Sequence, residues 1–376
     1  MSNFSEKFDA KLAWQLSDIS KKASQKDVEA VLSKASNYTL KDFAILLSEA
    51  ATTHLEYIAQ YSHSITKKYF GKTIALFAPL YFSNQCVNNC KYCGFAIRHK
   101  IERKTLSMSE IEEECKAIHK LGFRDILLVS SENPKATPRE YMNEAIRLCH
   151  KYFPSVSIEI APSPVEDYAD YVKNGCAGLT VFQETYDKEI YPDYHPSGPK
   201  KDFTWRLDTP DRGAKAGMRK LGLGPLLGLN DWRFELIAMA MHIQHLYKNY
   251  WKLKVGVSLP RMRPYVGSME IKPENVPTDK QVVQIIGALR ILFNRLTITV
   301  STRECPKFRD GVIPVGTTQM SAASSTQPGG YAKPDKSGEQ FEISDNRSVA
   351  EFSKAIKDAS YEVVWKDFDN TLSGSL

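Results

Sequence analysis

No stretch of this 376-residue chain reaches the roughly 18 consecutive apolar residues that a membrane-spanning helix requires. The start, Met1–Asp9, is polar and lacks the apolar centre of a signal peptide. Charge is not concentrated either. The net charge is +6, and no block of five or more like charges occurs, which argues against the basic stripe of a nucleic-acid binder. Seven cysteines, four of them scattered, do not make a disulfide framework and fit a reducing compartment. The expectation is a soluble, cytoplasmic protein with no nucleic-acid or membrane partner. A hydrophobic content of 42% supports a substantial core, and the length suits one large α/β domain with extensions, or two domains.

The informative cysteines are Cys86, Cys90 and Cys93, spaced C-x3-C-x2-C. Directly upstream, Thr73–Phe82 is a nearly continuous apolar run that gives way to Ser83 and Asn84, as a buried strand does on leaving a sheet. The thiols therefore sit on a loop at the C-terminal end of a strand, where α/β folds keep their chemistry. Three clustered thiolates suit a soft cation. A structural zinc site normally closes with four ligands, whereas a [4Fe–4S] cluster on three cysteines keeps one iron free. The alternatives are a zinc knuckle borrowing a distant His, or chance proximity; no second zinc ligand pair is found. Cys115, Cys149, Cys176 and Cys305 read as ordinary small core residues.

Residues 1–71 read as helical, with a capping-box-like start at Thr39 and Asp42. From residue 72 to 320 strand and helix patterns alternate. The strand candidates are Thr73–Phe82, Asp125–Ser131, Val156–Ile160, Gly178–Gln183, Leu221–Leu229, Lys254–Leu259, Leu296–Ser301 and Gly311–Gly316. Eight such segments predict an α/β fold, a TIM-type (β/α)8 barrel, with the glycine-rich fifth segment the poorest strand former. Residues 321–376 are expected to close the barrel near the active site. Lys200–Lys201 and Arg98–Lys104 are the densest basic patches and read as solvated faces, the second also able to line an entrance for anions. Strand-end polar groups are site candidates. Glu184 could accept hydrogen bonds from hydroxyls or an ammonium, or simply cap a loop. Arg303 could take an amino-acid carboxylate, or pair with a glutamate to close the barrel. His242 and His245, on a long helix outside the barrel, read as packed residues.

The C-x3-C-x2-C spacing with Tyr92 before the third cysteine resembles the radical S-adenosylmethionine (radical SAM) enzymes. The resemblance implies that Cys86, Cys90 and Cys93 hold a [4Fe–4S] cluster whose free iron binds the methionine moiety of S-adenosyl-L-methionine (SAM). It implies a 5′-deoxyadenosyl radical, with Tyr92 near the adenine. Ser131–Glu132 stands where the family often has a Gly–Glu pair against the methionyl amino group. Glu184 would meet the ribose, one of Arg206 and Arg212 the SAM carboxylate while the other is structural, and the backbone of segment five's glycines the adenosine. Further stretches, Pro79–Asn84, Gln183–Tyr186, Trp205–Leu207, Ser301–Glu304, Thr326–Tyr331 and Val364–Asp367, resemble the aromatic-amino-acid lyase branch, nearest the anaerobic tyrosine lyases of thiamine thiazole biosynthesis. That implies cleavage of L-tyrosine at Cα–Cβ to 2-iminoacetate and p-cresol, with substrate contacts from Tyr81, Ser301, Arg303 and Ser321. It also implies thiazole synthase as a partner and a flavodoxin- or ferredoxin-type reductant. The hydrogenase-maturation tyrosine lyases carry further C-terminal cysteines, and this sequence has none after Cys305. They remain an alternative, as do other aromatic amino acid lyases and a non-enzymatic zinc-binding module.

Overall fold

A computed structural model describes residues 2–263, 275–333 and 339–366. Its centre is a closed parallel barrel of β1 (Thr73–Ser83), β2 (Asp125–Ser130), β3 (Ser155–Glu159), β4 (Cys176–Glu184), β5 (Lys220–Pro225), β6 (Lys254–Ser258), β7 (Thr297–Val300) and β8 (Gln319–Ser321). The strands pair in chain order, and β1 closes the ring against both β8 and β2. Apolar side chains on the outer strand faces, such as Ile126, Ile158 and Leu221, are buried against the surrounding helices. The helices begin where the sequence provides caps. Thr39 and Asp42 form a capping box on Leu40–Leu46, Ser107 and Glu110 on Met108–Lys120, and Thr278 and Gln281 on Asp279–Leu292. Among the described residues no helix is long and apolar enough to cross a membrane.

Strand eight differs from its sequence assignment. Gly311–Gly316 is the end of the helix Pro306–Val312 and the turn after it, and its apolar side chains are buried there. The strand itself is only three residues long, too short to show a periodicity. The glycines of β5 also pack closely against the neighbouring strands. A Cβ at Gly224 would stand 2.3 Å from the Ser258 carbonyl oxygen and 2.9 Å from the Phe182 ring, so protein atoms fill that space.

Both termini wrap the barrel. The N-terminal helices Ala10–Lys22, Gln25–Leu32, Leu40–Leu46 and Leu55–Phe70 pack on its outer helices, with Trp14 stacked on Phe234 at 4.3 Å. After β8 the chain crosses the barrel mouth, then descends through the helix Val349–Asp358 to β9 (Glu362–Val364). β9 pairs with Thr73–Ala75 of β1, at the end opposite the cysteine loop. The segment therefore covers the mouth only in its first half. Asp367, the last residue of a motif quoted above, lies outside the described residues.

Candidate active site

β1 delivers its chain into the cysteine loop, and neighbouring strand ends fasten that loop. The Val87 amide donates to the Glu132 carbonyl at 3.1 Å, and Asn88 Nδ2 donates to Glu132 Oε2 at 2.8 Å. Asn88 Oδ1 accepts from the Lys200 amide at 2.9 Å. This approach requires glycine at 198, where φ is +93° and a Cβ would lie 2.3 Å from Asn88 Oδ1. Arg98 donates to the Cys90 carbonyl at 3.0 Å, and Arg103 donates to the carbonyls of Asn84, Phe95 and Ala96, each at 2.7 Å. These arginines satisfy a loop that has few main-chain partners of its own, rather than forming a solvated basic face.

Cys86, Cys90 and Cys93 are free thiols on this loop. Burial pushes the Cys86 thiol up and the Cys90 thiol up to about 12. Soft, partly to fully buried donors of this kind suit a cluster. Among the described residues no three Cys, His, Asp or Glu side chains are placed to ligate one metal ion. A single tetrahedral zinc needs its ligands converged on one point, whereas the thiolates of a [4Fe–4S] cluster each bind a different iron and stand further apart. The loop fits the cluster better than the zinc site.

Beside the loop the barrel interior holds a cavity of about 430 Å³. Tyr81, Tyr92, Cys93, Glu184, Ser301, Arg303 and Ser321 all line it. Cys86, Cys90, Ser131, Glu132 and Arg206 are not among the lining residues. Ser131 donates to the Ser83 carbonyl, and Arg206 lies between Glu132 Oε1 and the Phe182 carbonyl, which accepts from Nε at 2.7 Å. Arg212 belongs to another structure, stacked on Trp205 at 3.5 Å and donating to the Ser163 and Trp205 carbonyls. The glutamate of the Arg303–Glu304 pair turns to Arg261 and Arg263. Among the described residues Arg303 makes no ion pair and lies over the Phe341 ring at 3.4 Å. Ser301 Oγ accepts from the Arg303 amide, and Ser321 Oγ from the Thr302 amide at 3.2 Å, so both hydroxyls shape the turn that presents the guanidinium. His242 and His245 are buried outside the barrel, the first stacked on Phe4 at 4.0 Å and the second 2.9 Å from Asp211.

Sequence reading missed four groups. Lys200, taken as solvated, is half-buried and pairs with Glu184 at 2.7 Å; Glu184 itself holds φ +72°, rare for a residue with a Cβ. His195 bonds Tyr92 Oη through Nε2 at 2.7 Å and the Tyr191 carbonyl through Nδ1 at 2.9 Å. A carbonyl can only accept, so Nδ1 carries the proton and Nε2 accepts from the tyrosine. Gln340, from the tail, accepts from Tyr81 Oη at 2.9 Å and approaches Cys93 Sγ at 3.6 Å. Glu159 lines the cavity from β3. Its signal was legible in the alternation Ser155, Ser157, Glu159 against the apolar Val156 and Ile158.

Residues 80–240 match the Radical SAM superfamily, and residues 258–362 match the Biotin and Thiamin Synthesis associated domain. The 2-iminoacetate synthase of Salmonella typhimurium is 42% identical over 92% of this chain and 91% of its own length. The chain belongs to the 2-iminoacetate synthase family. The Escherichia coli 2-iminoacetate synthase is 41% identical over the same shares. Among solved structures, HydG, the [FeFe]-hydrogenase maturase from Carboxydothermus hydrogenoformans, superposes with a TM-score of 0.86. It is 31% identical, over 95% of this chain and 84% of that one. Methylornithine synthase, at 19% identity and a TM-score of 0.73, shares the barrel fold. The radical SAM match spans the cysteine loop, and the second match runs from the end of β6 to the start of β9, with Arg303 and the tail over the mouth.

Proposed function

We infer that this protein is a carbon–carbon lyase of the radical SAM class. It cleaves the Cα–Cβ bond of L-tyrosine to give 2-iminoacetate (dehydroglycine) and p-cresol for thiamine thiazole biosynthesis. The observation that carries the reading is one shared wall: the cavity holding Arg303 is also lined by Cys93 and Tyr92 of the cysteine loop. When bound, the [4Fe–4S] cluster and SAM supply the 5′-deoxyadenosyl radical that removes a hydrogen atom from the tyrosine amino group, leaving 5′-deoxyadenosine and methionine.

The chain's residues then have these roles. Cys86, Cys90 and Cys93 hold the cluster. Tyr92, fixed by His195, lies against the adenine, and Glu184 meets the ribose. Arg206, with Ser131 and Glu132, supports the methionine end of SAM. Arg303 takes the tyrosine carboxylate in a fork geometry, with Tyr81, Ser301 and Ser321 around it. Enclosure matters because the product imine hydrolyses readily and the radical must meet only its substrate. Residues 1–71 act as a helical extension, 72–320 as the barrel and 321–376 as its closing segment. Thiazole synthase receives the imine, a flavodoxin- or ferredoxin-type protein supplies electrons, and the setting is the reducing cytoplasm.

Anaerobic incubation of the reconstituted enzyme with tyrosine, SAM and a reductant is expected to yield p-cresol and 5′-deoxyadenosine together. Tightly bound zinc without iron or sulfide, and no p-cresol, would overturn the reading.

A further inference from the structure

Three carboxylates cluster around the cavity mouth, and their partners differ. Glu132 pairs with Arg206 and Glu184 with Lys200. Glu159, at the C-terminal end of β3, makes no hydrogen bond or ion pair among the described residues, although it lines the cavity. Arg303, on β7's side of the same cavity, is likewise without an ion-pair partner among the described residues. The two are near enough that each contributes to the other's electrostatics. Both side chains are half-buried; a charge drawn out of water without a partner is costly, so a protein that keeps one of each sign in a single cavity has built a receptor for a ligand carrying both.

We propose that Glu159 is the amino-group site of the substrate, receiving the tyrosine α-ammonium while Arg303 holds the α-carboxylate, and accepting one ammonium proton. This rests on the lyase reading above. The step balances simply: one N–H bond of the ammonium breaks, an O–H bond forms on Glu159, and the substrate is left as a neutral amine beside a neutral carboxylic acid. No electron moves. A neutral amine is the form that presents an N–H to the radical without a full positive charge on nitrogen. Burial, reinforced by Glu184, raises the Glu159 carboxyl to about 7, in the direction that makes it the better proton acceptor. Glu184 and Glu132 are less suited to the task because each already faces a cation.

The test compares L-tyrosine with 3-(4-hydroxyphenyl)propionate, which keeps the phenol and carboxylate but lacks the amino group, on reconstituted holoenzyme. In the unaltered protein tyrosine is expected to bind far better than the analogue. Glu159→Gln should reduce that preference ten- to hundredfold, the usual worth of a hydrogen bond to a charged group. It should leave analogue affinity, SAM affinity and iron and sulfide content unchanged, and raise the ratio of 5′-deoxyadenosine to p-cresol. Glu159→Asp, which keeps the charge at shorter reach, should recover part of the preference. An undiminished preference for tyrosine in Glu159→Gln overturns the proposal, as does a loss of SAM affinity with the preference intact. Absence of tyrosine binding or p-cresol in the unaltered protein would instead sink the lyase reading.

Discussion

The mouth and the floor of this barrel are built on opposite plans. At the mouth, charged side chains line the cavity, and Glu159 and Arg303 keep their charges available to it. At the floor, polarity is consumed internally. Lys220 reaches Asp125 and Ser155 at 3.0 Å each, β9 pairs its main chain with β1, and Trp365 packs edge-on against the buried Phe123 at 5.8 Å. The difference teaches which kind of damage each end should show: the mouth should lose chemistry while staying folded, and the floor should lose stability while keeping its chemistry.

The sharpest break comes from Cys90→Ala, which is expected to abolish both p-cresol and 5′-deoxyadenosine while the apoprotein melts as before; robust p-cresol from that variant would remove the loop from the chemistry. Phe123→Ala, on the floor, should cost about 3–5 kcal/mol in denaturant unfolding, as expected for a buried aromatic truncated to leave a cavity. Its tyrosine KM should hold below the transition. At the mouth, Arg303→Ala should weaken tyrosine binding ten- to hundredfold, the range for a charged hydrogen-bonding partner, with cluster assembly and uncoupled SAM cleavage retained. Unchanged affinity would place Arg303 among structural residues. The smallest effect is assigned to Lys220→Met, about 1–3 kcal/mol of stability from the loss of its bonds to Asp125 and Ser155, again with KM unchanged. A large KM effect from Lys220→Met would erase the distinction between the two ends.

The parts legible in the sequence are those whose information is local. Cys86, Cys90 and Cys93 announce themselves by spacing, seven strands by apolar runs, and the helix Leu40–Leu46 by its Thr39–Asp42 cap. What escaped depends on tertiary placement. Lys200 looks like any surface lysine until the turn at Gly198 folds it under the cysteine loop beside Glu184. Gln340 acquires its role only because the tail crosses the mouth, far in sequence from Tyr81. Strand eight has three residues, and its position is set by pairing with Ala75–Phe77 of β1 rather than by its own composition. Arg98 and Arg103 show the same limit from another side: a basic run reads as a surface until the carbonyls it serves are known.

β1 is the longest strand of the barrel, 11 residues, or about 36 Å at roughly 3.3 Å per residue. One end is gripped by β9 and the other opens into the thiols. It is clamped at its base by residues 362–364, far along the chain from the cysteine loop. The strand that carries the thiol loop therefore rests its foot on a segment far along the chain, while its upper half is held by β2 and the loop itself by Glu132 and Lys200.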